Sequence, residues 1–145
     1  MIPPKVSVIM ACYNVSRFVD YALIGIRNQI YKNFEVIAVD DGSTDDTLNR
    51  LAQAEGEFDL KIIRCERNRG LPAALNIGMS NASGDFIARF DPDDFMNDWR
   101  IRDQVYYLLE NPEIDLVGGG AEVFGITKLT ITPRTLHAEI KDEFL

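Results

Sequence analysis

Residues 35–46 read EVIAVDDGSTDD. The run Glu35-Val36-Ile37-Ala38-Val39 is short and apolar, as a buried strand is. It stops at two acids and a glycine, Asp40-Asp41-Gly42. The chain then passes through Ser43, Thr44 and Asp45, residue types that open helices. Strand, acidic turn and helix start together make one unit of an α/β chain. Working outward, the unit recurs. Val6–Cys12 is a strand bounded by Pro3-Pro4 and Tyr13-Asn14, followed by a helix over 16–30 with Phe18, Val19, Ala22, Leu23 and Ile26 at helical spacing and Ser16 as its cap. Thr44 or Asp45 caps a helix carrying Leu48, Leu51 and Ala52. Leu60–Cys65 is a third strand, and 71–80 an Ala- and Leu-containing helix. Phe86–Phe90 is a fourth strand. Asp98 caps a helix with Ile101, Val105, Leu108 and Leu109 that ends near Asn111-Pro112, and Ile114–Gly118 begins a fifth strand.

Strand and helix alternate four times. The pattern predicts an α/β fold with three layers, α/β/α, around a mostly parallel central sheet. In such sheets ligands bind beyond the carboxyl ends of the strands, so the residues after each strand are where chemistry is sought.

Composition narrows the choice of partner. The chain has 145 residues, within the usual size of one domain. Acids number 23 and bases 15, for a net charge of −8. An acidic chain without a Lys/Arg cluster is a poor nucleic-acid binder. No apolar run is long enough to span a bilayer, and no charged-then-apolar leader precedes the first strand. Cys12 and Cys65 stand far apart with no metal-ligand spacing, and read as buried, reduced thiols of a cytoplasmic protein.

Eight of the 23 acids fall in two segments, 40–46 and 91–98, each directly after a strand. In Asp91-Pro92-Asp93-Asp94 three carboxylates within four residues repel one another. A divalent cation relieves that, and Mg²⁺ or Mn²⁺ is held by one or two carboxylates plus phosphate oxygens. Asp41 sits where a fixed carboxylate can accept a ring N–H from uracil, thymine or guanine; cytosine offers none. Arg67 and Arg69 lie near this acidic edge, where one can meet a base carbonyl or a phosphate. Ala73, Ala74 and Gly78 give the 71–80 helix a face that permits close approach to the sheet.

Four motifs in order, SVIMACYN (7–14), VDDGSTDDT (39–47), NRGLPAALNIG (68–78) and FDPDD (90–94), resemble the family 2 glycosyltransferases. The likeness covers residues ~5 to ~123 well and includes Val117-Gly118-Gly119-Gly120. It implies the Rossmann-like, nucleotide-diphospho-sugar transferase (glycosyltransferase-A) architecture. It further implies that Tyr13 and the backbone near Ala11 flank the base, that Asp41 binds the base N–H, and that Asp91 touches the nucleotide; Arg67, from its place by the acidic edge, is expected to touch it too. Asp93 and Asp91 would hold Mn²⁺ or Mg²⁺, with Asp93 the direct ligand and Asp91 nearer the ribose. The implied reaction is inverting transfer from a nucleoside-diphosphate sugar, with UDP-sugar favoured, to a saccharide or lipid-linked acceptor. Ala11 stands where members often have proline, and Leu75 where a basic residue is common.

Inverting members carry their general base, an acid, downstream of the DxD pair. The expectation is therefore a single domain, 1–145, truncated to the donor-binding part without the acceptor part, with no catalytic residue named and little turnover by itself. His137, Glu139, Asp142 and Glu143 read as one polar helix, 137–145. The full-length protein is expected in the cytoplasm, at the inner face of the membrane. A binding module that holds the nucleotide sugar without turnover is the alternative. A phosphoacceptor domain is disfavoured because Tyr13-Asn14 and Glu66-Arg67 occupy its acidic positions. A dinucleotide oxidoreductase is disfavoured because the first loop has no GxGxxG.

Overall fold

A computed structural model describes residues 3–123 and 129–131, with side chains through residue 120. The chain forms two compact units, Met1–Tyr106 and Tyr107–Leu145.

In the first unit, four strands alternate with helices: β1 (Val6–Cys12), α1 (Val19–Arg27), β2 (Phe34–Asp40), α2 (Thr47–Gln53), β3 (Leu60–Arg64), α3 (Leu71–Ser80), β4 (Phe86–Arg89) and the start of α4 (Arg100–Glu110). The strands pair in parallel in the order β3-β2-β1-β4. Order reverses beside β1, so β1 ends at the crevice where ligands enter such sheets.

The strand period of two sorts side chains between two cores. Val6, Val8, Met10 and Cys12 of β1, with Val36 and Ala38 of β2, pack with Val19, Ala22, Leu23 and Ile26 of α1, Leu51 of α2, and Ile101 and Val105 of α4. Ile9, Ile37 and Val39 face the other way, onto Ala74 of α3. Helices thus cover both faces, as the alternation predicted. The α3 contact is close because Gly78 carries no side chain: a Cβ there would lie 2.4 Å from Ile9 Cγ2.

Local details depart from the sequence reading. α1 starts after Phe18, which is exposed, and Ser16 does not cap it; the Ser16 N–H donates to Asp45 instead. α2 starts at Thr47 with Asp46 as its cap residue, and Ala54 is buried where Ala52 is exposed. Before α4 it is Asn97 whose carbonyl accepts the Arg100 N–H. Gln29 is fully buried and ties α1 to this region, donating to the carbonyls of Gly25 and Asn97 and accepting the Ile101 N–H.

The expected fifth strand over 114–118 is not formed. Ile114 closes a turn onto Asn111, and Leu116 is exposed. Within the second unit, β5 (Ala121–Val123) pairs antiparallel with β6 (Leu129–Ile131). An apolar run becomes a strand only where a neighbour receives its N–H and C=O groups, and residues 114–118 find none among the described residues. The helix expected over 137–145 lies outside the described residues.

Candidate functional site

The carboxyl edge of the sheet holds a cleft of about 190 Å³ lined by Ala11, Cys12, Tyr13, Asp41, Asn68, Gly70, Leu71 and Ala74. Three of the four motifs supply these residues. Ala11 and Tyr13 come from the end of β1, Asp41 from the end of β2, and the rest from the loop and first turn of α3.

Asp40 and Asp41 divide the work at the end of β2. Asp40 is buried, and its Oδ1 accepts the Ser43 N–H at 3.2 Å, shaping the turn. Asp41 is only 3% exposed, and its N–H donates to the Cys12 carbonyl. Its carboxylate accepts the Arg69 N–H at 3.0 Å to each oxygen and the Gly70 N–H at 2.8 Å to Oδ2. A carboxylate has about four acceptor positions, so Oδ1 retains capacity for a donor in the cleft. Gly42 permits this junction: its φ is +73°, and a Cβ there would meet the Arg67 backbone at 2.6 Å.

The rest of the STDDT segment clamps the loop after β1. Ser43 Oγ accepts the Asn14 N–H, Thr47 Oγ1 the Val15 N–H, and Asp45 Oδ2 the Ser16 N–H. Asn14, at a φ of +53°, returns its Oδ1 to the Thr44 N–H at 2.8 Å. Desolvation works against the charged form of Asp45, yet the bonds from Thr47 and Ser16 hold its carboxyl well below the ordinary range. This clamp fixes the backbone that carries Tyr13, whose half-exposed ring stands at the cleft. The sequence reading assigned these residues to turn and cap, and missed that they position Tyr13.

Beside β1, the β4 strand delivers the second acidic segment. Ile9 is in register with Arg89, which puts Asp91 level with Ala11, one strand across. Asp41 and Asp91 therefore flank the end of β1, about 12 Å apart by two strand spacings across and two residues along. Asp91 is held by Arg89 in a two-bond fork, Nε to Oδ1 at 3.0 Å and Nη2 to Oδ2 at 2.9 Å. Burial raises the Asp94 carboxyl, and the charges of Asp93 and Asp91 raise it further, against the pull of Arg100 and Arg89. The Arg100 guanidinium, lowered by burial and supported by Asp94 and Asp91, donates to the Arg89 carbonyl at 3.1 Å. Asp93 is exposed and unpaired among the described residues.

Arg89 and Arg100 were not anticipated. Arg89 precedes Asp91 by two, the spacing that puts both on one face of an extended chain, and that was the available signal. Among the described residues no three acidic, Cys or His side chains are gathered into a closed metal cage. A Mg²⁺ or Mn²⁺ site completed by phosphate oxygens needs only one or two carboxylates. Asp93 and Asp91 are hard oxygen donors, and the mutual repulsion at Asp94 shows negative charge that a cation would relieve. The residues fit such an ion.

Arg67 lines a second groove with Arg64 and Arg69, while Asn68 and Gly70 of the same loop line the cleft. Both cysteines are free and buried, as expected. Burial and then the Asp40 charge push the Cys12 thiol up to about 12, so it stays protonated and inert although it lines the cleft.

Residues 7–143 match the family model described as Glycosyl transferase family 2. The Bacillus subtilis (strain 168) protein EpsE, named as a glycosyltransferase, is 42% identical over 123 residues, 83% of this chain and 44% of that protein. A crystal structure of S. aureus TarS in complex with UDP-GlcNAc superposes with a TM-score of 0.71 at 32% identity, covering 74% of this chain and 32% of that one. The mannosyltransferase PcManGT from Pyrobaculum calidifontis, in complex with GDP-Man and Mn²⁺, superposes at 0.64 with 29% identity, over 81% of this chain and 34% of that one. These neighbours have the glycosyltransferase-A fold, and this chain shares it. The chain spans less than half the length of each of these relatives.

Proposed function

The chain belongs to glycosyl transferase family 2, and on that premise we propose that it holds the nucleoside-diphosphate-sugar donor for inverting transfer to an acceptor hydroxyl. The observation that carries this reading is the cleft at the end of β1, whose lining includes Asp41, a buried carboxylate fixed by the Arg69 and Gly70 N–H groups. Tyr13 and Ala11 flank the base, and Asp41 Oδ1 accepts its ring N–H. That requirement favours UDP over CDP, and the TarS complex with UDP-GlcNAc supports a UDP-N-acetylhexosamine or related UDP-hexose. Asp91 reaches the ribose side from β4.

Asp93 and Asp91 would hold Mn²⁺ or Mg²⁺, a choice supported by the Mn²⁺ complex of PcManGT. Such an ion, when bound with the donor, stabilises charge on the departing diphosphate as a Lewis acid. The Arg89 fork takes two of the roughly four acceptor positions of Asp91, and the rest would serve the ion, with the charge of Arg100 beside the carboxylates. The acceptor is a saccharide or a lipid-linked saccharide, and the reaction belongs to the cytoplasm, at the inner face of the membrane. Among the described residues no helix is long and apolar enough to cross a bilayer. The chain as one donor-binding domain of a longer enzyme is part of the same proposal.

Calorimetry with UDP tests the reading. Binding is expected with Mn²⁺ and is expected to be far weaker in EDTA. Equal affinity in both buffers would remove the ion, and no affinity in either would remove the donor cleft.

A further inference from the structure

Arg64, Arg67 and Arg69 line one open groove of about 450 Å³ beside the end of β3. Most other described cations carry partners: carboxylates for Lys5, Arg27, Arg50, Arg89 and Arg102, and the Asn81 side chain for Lys61. The three groove arginines are exposed, and among the described residues their guanidinium groups neither donate a hydrogen bond nor pair with a carboxylate. Glu66 is the one acid on the groove, so three positive charges face one negative. In a chain of net charge −8 this is a local inversion of sign. Planar guanidinium forks match phosphate oxygens two at a time, and the volume is that of a small-ligand site.

The groove shares its wall with the donor cleft. Along loop 66–70, Asn68 and Gly70 line the cleft while Arg67 and Arg69 line the groove. The Arg69 and Gly70 N–H groups are the donors that hold Asp41, and the Arg67 backbone packs against Gly42. An anion that orders Arg67 and Arg69 acts on the backbone behind Asp41.

We propose that this groove binds a phosphate-bearing anion at a site separate from the donor cleft, and that its occupancy steadies the loop supporting Asp41. The anion is a free phosphate compound or a phosphate headgroup. Coupling between two such sites is reciprocal, so uridine, which carries no phosphate of its own, should bind severalfold tighter when the groove is filled.

The test is calorimetric titration with inorganic pyrophosphate in EDTA, which keeps a metal-bound phosphate site out of play. The parent should bind, the Arg64→Ala/Arg69→Ala double variant at least tenfold more weakly, and Asp93→Asn as the parent does. Arg64→Lys/Arg69→Lys should retain part of the affinity, and far-UV circular dichroism should show all variants folded. A second arm measures sedimentation with phosphatidylcholine vesicles containing phosphatidylglycerol. Arginine-dependent binding to pyrophosphate alone identifies a free anion; arginine-dependent binding to vesicles identifies a headgroup. Binding to neither, or binding indifferent to the arginine pair, overturns the site. Uridine affinity unchanged by pyrophosphate overturns the link to the cleft.

Discussion

Both ends of the sheet carry carboxylates, and they use them differently. At the amino end, Glu35 accepts the Ser7 hydroxyl at 2.6 Å, the Ser83 N–H at 2.7 Å, the Ser83 hydroxyl at 2.9 Å and the Lys5 ammonium at 3.0 Å. Ser7, fully buried, passes the network on by accepting the Gly84 N–H, and Lys5 N–H donates to Asp85. At the carboxyl end, Asp41 is held from behind by two backbone N–H groups and keeps acceptor capacity toward a cleft. Among the described residues Asp93 has no partner, and Asp91 is bonded by the half-exposed Arg89 two residues before it, with the charge of Arg100 nearby. A network closed on itself rigidifies and stabilises. A charge fixed in place but left partly unmatched is available to a ligand. The lesson is that acidity alone did not distinguish structure from site; the count of partners did.

If that contrast is right, mutations at the two ends should separate stability from binding. The largest expected effect is Glu35→Ala, which strands the partners of a nearly buried carboxylate. It should lower folding stability by about 3 kcal/mol in urea denaturation and leave UDP affinity unchanged. A parallel loss of UDP binding in folded protein would break the contrast.

The same network predicts a pH dependence. Burial alone would raise the Glu35 carboxyl, but the bonds from Ser7, Ser83 and Lys5 outweigh it and bring it to about 2, against an ordinary 4.5. A depressed folded-state value means that the stabilisation is complete above the unfolded value and is lost as pH falls through the folded one. The stability difference between the parent and Glu35→Gln should stay constant above about pH 5 and close as pH falls from 4.5 toward 2. A gap unchanged over that window would show that charge is not what closes this end.

At the other end, Asp41→Ala should weaken UDP by about 2 kcal/mol, with a smaller loss of stability from the stranded Arg69 and Gly70 N–H groups. Asp93→Asn should leave stability within about 0.5 kcal/mol of the parent while abolishing most of the difference between Mn²⁺ and EDTA in UDP titrations. Stability loss at Asp93 without a metal effect would move it into the structural class.

Much of this was readable in the sequence because the signals were local. β1 and α3 fall where their apolar spacing put them, and Gly78 does permit the close α3 contact. The acids after β2 and β4 reach one edge because parallel topology forces them there. What escaped was long-range pairing. Ser43, Thr47 and Asp45 look like caps, and only the fold shows them clamping residues 14–16. Glu35 looked like a strand residue, since its partners Ser7 and Ser83 are 28 and 48 positions away. Arg67 and Arg69 were singled out for their charge, and only the fold sets both along the second groove. Ile114–Gly118 had strand composition, which cannot say whether a partner strand is in reach.

The smallest expected effect is the most specific to the open end. The Arg69 and Gly70 N–H groups occupy three of the roughly four acceptor positions of Asp41 at most. The remaining capacity at Oδ1 suits a ligand that brings a donor. Uracil brings a ring N–H; cytosine presents a bare acceptor nitrogen at the corresponding position, and two acceptors face to face repel. CDP should therefore bind about tenfold more weakly than UDP, near 1.4 kcal/mol, the size of one lost hydrogen bond. In Asp41→Asn the amide can turn either its oxygen or its NH₂ toward the cleft, so the preference for UDP should shrink toward unity while both nucleotides still bind. A preference that survives Asp41→Asn undiminished would place base recognition on the backbone near Ala11 and Tyr13, and leave Asp41 as a loop anchor of the same kind as Glu35.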